Sequence, residues 1–128
     1  MRKPYVRPMP GTWYLHTWAY RLFMIREVTS VFIAAYLVFL LVWLYRLGQG
    51  PEQFEAMLRA TRSPLSVVLH VLALAAALYH SCTWFNLTPK VMPVRVGEER
   101  LPDLLVAVAM GYFPWIVLSG LLVWGALR

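Results

Sequence analysis

Residues 28–45 read VTSVFIAAYLVFLLVWLY, an apolar run without a single charged side chain. Two further apolar runs follow, at residues 65–87 and 104–127. A helix needs roughly 20 predominantly apolar residues to cross the hydrocarbon core of a bilayer, so each run predicts one membrane-spanning helix. The expected fold is an all-α membrane protein, with the three spans at approximately residues 21–47, 64–89 and 102–127.

The composition leaves almost no chain for a soluble domain. Of the 128 residues, 60% are hydrophobic and only 14% are charged, which is typical of membrane proteins. We therefore expect two parts, a basic arm with an interfacial segment at residues 1–20 and a single membrane-anchor domain at residues 21–128. Any flavin, nucleotide or iron–sulfur fold would have to lie on another polypeptide. The single cysteine, Cys82, excludes an intrachain disulfide and a CxxC metal motif.

The net charge of +6 comes from basic residues that flank the apolar runs. Such placement favours a bilayer over nucleic acid as the partner of these charges. The arm and the link between the second and third spans carry most of them, which predicts a cytoplasmic N-terminus and a periplasmic C-terminus. Those residues are Arg2, Lys3, Arg7, Arg21, Lys90, Arg95 and Arg100, against Arg46, Arg59, Arg62 and Arg128 on the other side.

Glycine, proline and serine mark the ends of the predicted spans. The sequence Gly48-Gln49-Gly50-Pro51 should break the first helix, and a short polar segment outside the bilayer should follow it. Ser63 as N-cap with Pro64 after it is a good start signal for the second span. Pro102-Asp103 should start the third span in the same manner, and a kink is expected within it, at Gly111 and Pro114.

Two polar stretches interrupt the apolar runs, and the first is Arg26-Glu27. Ionisable side chains at membrane depth are costly, so they indicate a functional site by default. Adjacent helix positions point about 100° apart, from which we expect that Arg26 and Glu27 do not pair with each other. Charged residues are also missing three and four positions away. Each group should therefore need water, another helix, another subunit or a ligand, unless both simply reach the headgroups.

The second polar stretch, residues 80–84, should lie at the same depth as the first. His80 and Trp84 are four residues apart and share one helix face. His80 lies about eight residues before the end of its span, roughly 12 Å at 1.5 Å per residue. Glu27 lies a similar distance inside the first span, which runs antiparallel to the second. Because the two stretches lie at equal depth, we favour one shared pocket. The alternative is that His80 is a core histidine that bonds only to a neighbouring helix.

Hydrogen-bond donors, an aromatic wall and a proton-accepting group together suit a quinone. Haem is the second candidate ligand. It ranks below a quinone because haem proteins of this kind need two histidines that face each other from neighbouring helices. His70 and His80 lie on one predicted helix, roughly 15 Å apart along its axis, and His16 precedes the first span. A haem would need a histidine from a partner.

The sequence resembles the family of the bacterial fumarate reductase C-subunit over the first two-thirds of the chain. The third span matches the family in its general apolar character and not in particular residues. The resemblance departs at Ser81-Cys82, where Thr-Lys is expected in close relatives, and this removes a positive charge beside the pocket. The matching residues are Arg2-Lys3-Pro4-Tyr5-Val6-Arg7-Pro8-Met9, Tyr20-Arg21, Met24, Arg26, Glu27, Thr29, Gly50-Pro51-Glu52, Leu74-Ala75-Ala76-Ala77-Leu78, His80, Thr83-Trp84-Phe85, Leu87 and Pro89-Lys90.

The resemblance implies a non-catalytic membrane anchor in a heterotetramer of the bacterial inner membrane that serves anaerobic respiration. Its partners would be a flavoprotein with covalent FAD, an iron–sulfur subunit and a second membrane anchor (the D-subunit), without haem. By motif position, Arg26, Glu27, His80 and Trp84 would contact menaquinol. Glu27 would accept or relay the proton, His80 and Trp84 would hold the quinone, and Arg26 would stabilise negative charge or orient Glu27. The alternatives are a purely structural anchor and the haem b-binding anchor of a succinate dehydrogenase.

Overall fold

The computed structural model describes Tyr5 and residues 8–128. Of the predicted basic arm and interfacial segment at residues 1–20, residues 1–4, 6 and 7 thus lie outside the described residues. The rest is almost entirely helical, with a two-stranded hairpin between the second and third spans. In chain order the elements are a 3₁₀ turn (Trp13–Leu15), α1 (Trp18–Gly48), α2 (Pro51–Thr61), α3 (Pro64–Val91), β1 (Arg95–Val96), β2 (Glu99–Arg100), α4 (Asp103–Ala107), a π-helical turn (Val108–Tyr112) and α5 (Phe113–Ala126).

Three helical segments are long and apolar enough to cross a membrane, as the hydropathy pattern predicts. They are α1, α3 and the continuous helical run Asp103–Ala126, called here span three. With 31 residues, α1 extends over about 46 Å at 1.5 Å per residue, so its ends reach past a hydrocarbon core of about 30 Å. It begins three residues before the predicted span at residues 21–47.

The break between α1 and α2 lies where the glycines and proline place it. Gly50 has a φ of 110°, a conformation that favours glycine, and Pro51 opens α2. The polar segment expected here is the helix α2, and Phe54 on it packs edge-on against Trp43 at a centroid distance of 5.1 Å. Ser63 caps α3 as expected, because its side chain accepts a hydrogen bond from the Ser66 amide at 3.3 Å.

The start of span three differs from the prediction. Pro102 occupies the N-cap position of α4 and offers no capping side chain, whereas Ser63 caps α3. The first turn is instead tied to the hairpin, because Arg100 Nη2 donates to Asp103 Oδ1 at 2.8 Å. A carboxylate in the first turn also suits the positive end of the helix dipole. A kink is expected at Gly111 and Pro114, and the structure has there the π-helical turn, which contains Gly111 and ends just before α5, with Pro114 in the first turn of that helix.

Helix α3 is the centre of the packing, since it contacts both α1 and span three. Span three approaches α3 closely at Gly111, where a Cβ atom would lie 2.7 Å from Phe85 Cγ. Few large side chains are buried within the described chain, and most apolar side chains of the three spans are exposed. The bundle therefore presents apolar surface outward, to lipid or to other membrane helices.

Candidate functional site at the crossing of α1 and α3

Arg26 is the most unusual residue of the crossing, because it is charged and only 7% exposed. It lies in the first third of α1, after the apolar residues 22–25 and directly before Glu27. An unpaired guanidinium in such surroundings would be costly, since removing the partner of a buried charge destabilises a protein by about 3–5 kcal/mol. Its surroundings therefore have to supply partners for the charge.

Glu27 supplies one partner, and here the expectation from helix geometry is wrong. Arg26 Nη2 lies 2.9 Å from Glu27 Oε1, and Arg26 Nε lies 3.3 Å from the same oxygen. The two Cα–Cβ directions do diverge, but both side chains are long enough to curve toward each other along the helix surface. The Glu27 side chain remains 50% exposed, so the pair joins a buried cation to an accessible carboxylate.

Two aromatic rings complete the environment of the Arg26 guanidinium. Its Cζ atom lies 4.7 Å from the centroid of Phe23 and 5.6 Å from that of Trp84. Both distances fall within the range of cation–π attraction, which is worth about 0.5–2 kcal/mol depending on desolvation. Arg26 thus connects Glu27 on α1 to Trp84 on α3. The Trp84 side chain is half-exposed, so part of its ring is available for another contact.

His80 contacts α1 at the same level. Its Nδ1 atom lies 3.2 Å from Thr29 Oγ1 and 3.3 Å from the Arg26 carbonyl oxygen. Thr29 is itself buried, and its hydroxyl donates to the Arg26 carbonyl. The predicted equal depth of the two polar stretches is consistent with these contacts. Glu27, in contrast, has no hydrogen bond to His80 or Trp84 among the described residues.

Two residues of this crossing are not among the predicted site residues. In the sequence, Thr29 lies three positions after Arg26 and is one of the positions shared with the family. Tyr79 belongs to none of the motifs quoted above. The Tyr79 hydroxyl donates to the Leu22 carbonyl at 3.3 Å, which adds a second polar link between α1 and α3. The feature of the sequence that could have indicated Thr29 is a polar residue three positions after Arg26. Tyr79 gives no such signal, because aromatic residues are common in spans.

A cleft of about 410 Å³ opens between α1 and α3 next to Arg26. Its walls are mainly apolar, and polar groups from α3 lie along one side. Lys90, in the last turn of α3, lies at its edge. The lining residues are Ala19, Leu22, Phe23, Arg26, Tyr79, Thr83, Asn86, Leu87 and Lys90.

His70 lies apart from this site. It is on α3 as well, ten positions before His80, and it packs edge-on against Tyr36 and Phe39 at 5.5 and 5.2 Å. Its Nδ1 atom lies 2.6 Å from the Ser66 carbonyl oxygen. The two histidines of α3 cannot face each other across one iron atom. Among the described residues there is also no cluster of three His, Cys, Asp or Glu side chains that could hold a metal ion.

The sequence of the whole chain matches a known family. The family model for the C-subunit of fumarate reductase covers residues 1–127. The chain belongs to the fumarate reductase C-subunit family. Relatives with the name of this subunit are 36% identical in Vibrio cholerae and 39% identical in Aliivibrio fischeri and Aliivibrio salmonicida. Each match extends over 108 residues, which is 84% of this chain and 85% of the relative.

Membership in this family confirms the resemblance noted in the sequence and extends it to span three. Together with the three apolar spans, it also confirms a multi-pass protein of the bacterial inner membrane.

At Ser81-Cys82, where the sequence differs from the family, the structure shows contacts of the backbone. The Cys82 carbonyl accepts hydrogen bonds from Asn86 Nδ2 at 2.7 Å and from the Tyr112 hydroxyl at 3.4 Å. The backbone of this turn therefore serves the contact with span three.

Proposed function

We propose that the chain is the membrane anchor of a quinol:fumarate reductase and forms part of its menaquinol site. The single observation that carries the proposal is the buried Arg26 guanidinium, paired with half-exposed Glu27 and in cation–π contact with Trp84. Buried ion pairs contribute little net stability compared with apolar packing, so a buried pair with one accessible end suits a ligand site better than a structural role.

The four residues offer distinct chemistry to a quinol. Menaquinol, when bound, supplies two electrons and two protons. Arg26 engages Glu27 Oε1 from two donor atoms and so orients the carboxylate, while Oε2 makes no hydrogen bond among the described residues and can accept a proton. The half-exposed Trp84 ring offers an aromatic wall. His80 is held against α1 through Nδ1, which leaves Nε2 for a ligand.

The remaining cofactors belong to other subunits in this proposal. The three spans account for most of the chain, and its described residues include no cluster of ligands for a metal ion. FAD and the iron–sulfur clusters would be carried by the flavoprotein and the iron–sulfur subunit. The chain itself would be non-catalytic and would assemble with them and with a second anchor, the D-subunit. The exposed apolar faces of α1, α3 and span three suit packing against that second anchor.

The proposed orientation has the N-terminus in the cytoplasm and the C-terminus in the periplasm. The ends of α1 and α3 near Arg21 and Lys90, with the hairpin that carries Arg95 and Arg100, form the more basic side. A cysteine introduced in the hairpin at the exposed Glu98, in a Cys82→Ser background, should react with a membrane-impermeant maleimide only in inverted vesicles. Reaction in intact, outer-membrane-permeabilised cells would contradict this orientation.

The proposal is tested by replacing Glu27 with Gln in the assembled complex. Fumarate reduction by menaquinol should fall about 100-fold or more, as expected for loss of a proton-accepting group, while reduction by a soluble artificial donor should stay unchanged. Glu55→Gln is the matched control, since the contact that Glu55 makes among the described residues is an exposed pair with Arg59 on α2. Equal loss with both donors would show an assembly defect. Full menaquinol activity after replacement of both Glu27 and His80 would favour a purely structural anchor.

A further inference from the structure

The hydrogen-bond partners of His80 determine which ring nitrogen carries its proton. The Arg26 carbonyl oxygen, 3.3 Å from Nδ1, can only accept a hydrogen bond. The Thr29 hydroxyl, 3.2 Å from Nδ1, has a single hydrogen, and that hydrogen is donated to the same carbonyl. Thr29 therefore also faces Nδ1 with a lone pair. Both neighbours are acceptors, so Nδ1 must be the protonated nitrogen of neutral His80.

The other nitrogen, Nε2, is then unprotonated in the neutral ring. It makes no hydrogen bond within the described part of the chain. A neutral His80 of this tautomer cannot donate a hydrogen bond to a quinone carbonyl through Nε2. It can accept one from a quinol hydroxyl, and it can take the proton.

We propose that Thr29 is a positioning residue which, with the Arg26 carbonyl, fixes His80 as the Nδ1–H tautomer so that Nε2 accepts a proton from menaquinol. This rests on the proposed quinol site and deepens it. In the step, the quinol O–H bond breaks and an Nε2–H bond forms, which gives an imidazolium whose Nδ1–H stays bonded to α1. The electrons pass to an iron–sulfur acceptor of the partner subunit. His80 thereby becomes a second proton acceptor beside Glu27.

Charged groups near His80 come from both helices. On α1 they are Arg26 and Glu27, which are already paired with each other, and on α3 the closest is Lys90 in the last turn. Among the described residues none of these forms a hydrogen bond or ion pair with the imidazole through its side chain. The tautomer is therefore set by the two neutral acceptors, Thr29 and the Arg26 carbonyl, and Thr29 is the one that mutation can remove.

The tautomer can be measured by redox-induced infrared difference spectroscopy on the complete complex in membranes, with and without isotope-labelled histidine. Histidines whose protonation or hydrogen bonding changes on menaquinol oxidation contribute, and the imidazole ring band distinguishes the two neutral tautomers. A band of the Nδ1–H form should appear, vanish in His80→Gln and persist in His70→Gln, the matched control on the same helix. A band of the Nε2–H form that depends on His80 would overturn the inference.

The role of Thr29 is tested with Thr29→Val and Thr29→Ser. Val keeps the shape but not the hydroxyl, which leaves the Arg26 carbonyl as the remaining acceptor for Nδ1–H, so a band of the Nε2–H tautomer should appear beside that of the Nδ1–H form. Menaquinol-dependent turnover should fall about 3- to 10-fold, the effect of losing one neutral hydrogen bond. Ser should restore both, and turnover with the artificial donor should not change. An unaltered band and unaltered turnover in Thr29→Val would refute the role of Thr29. If His80→Gln itself leaves menaquinol turnover unchanged, the proposed quinol site is wrong, whichever tautomer His80 adopts.

Discussion

The packing of span three on α3 depends on the absence of a side chain at Gly111. A Cβ atom there would lie 2.7 Å from Phe85 Cγ, 2.8 Å from Cδ1 and 3.0 Å from Cβ. Carbon atoms in contact are normally about 3.5–4.0 Å apart. The clashing atoms are close to the Phe85 backbone and the ring is held against Tyr112 and Trp115, so rotation of the ring cannot relieve the overlap. Gly111→Ala should therefore destabilise the chain by about 1–3 kcal/mol, the usual cost of over-packing.

The assay is the free energy of unfolding in mixed micelles titrated with a denaturing detergent. Gly120→Ala is the matched control on the same span, because a Cβ there would have no atom of the described residues within 4 Å outside its own helix backbone. It should change the free energy of unfolding by no more than about 1 kcal/mol, in the stabilising direction expected for Ala in a helix. In a Phe85→Ala background, which removes the two closest atoms and leaves the 3.0 Å approach to Cβ, the cost of Gly111→Ala should be clearly smaller. Equal effects of Gly111→Ala and Gly120→Ala in the wild-type background would refute this explanation of the packing.

Three further substitutions test local contacts through the same free energy of unfolding. Ser63→Ala removes the cap of α3 and should cost about 0.5–2 kcal/mol, and Ser63→Asp should restore most of it. Gly50→Ala forces a side chain into a φ of 110° and should cost about 1–3 kcal/mol although the surrounding space is open. Tyr112→Phe removes the 2.7 Å hydrogen bond with Asn86 and should cost about 0.5–1.5 kcal/mol. An unchanged unfolding curve would contradict the corresponding contact.

The features that could be predicted are those that depend on local sequence. Hydropathy located the three spans, because burial in lipid requires long apolar helices. Serine and proline at positions 63 and 64 predicted the start of α3, and glycine at position 50 predicted the break before α2. The helical rise placed His80 at the level of the Arg26-Glu27 pair. Each inference needed only a few neighbouring residues and a fixed geometry.

The features that could not be predicted depend on side-chain conformation or on contacts between distant residues. The expectation that Arg26 and Glu27 do not pair used Cβ directions alone, whereas long side chains find a partner when burial would otherwise leave a charge unpaired. Thr29 meets His80 across 51 positions, and nothing in either segment specifies the other. The π-helical turn at Val108–Tyr112 accompanies the close contact of Gly111 with Phe85, which is known only once α3 is in place.

The proposed menaquinol site consists in part of Arg26, Glu27, His80 and Trp84. Its most direct test is a structure of the assembled complex with a quinol-site inhibitor bound. The inhibitor headgroup is expected within about 2.6–3.2 Å of His80 Nε2 or the Glu27 carboxylate, with its ring against Trp84. An inhibitor that binds competitively with menaquinol and touches none of these four residues would contradict the proposed site.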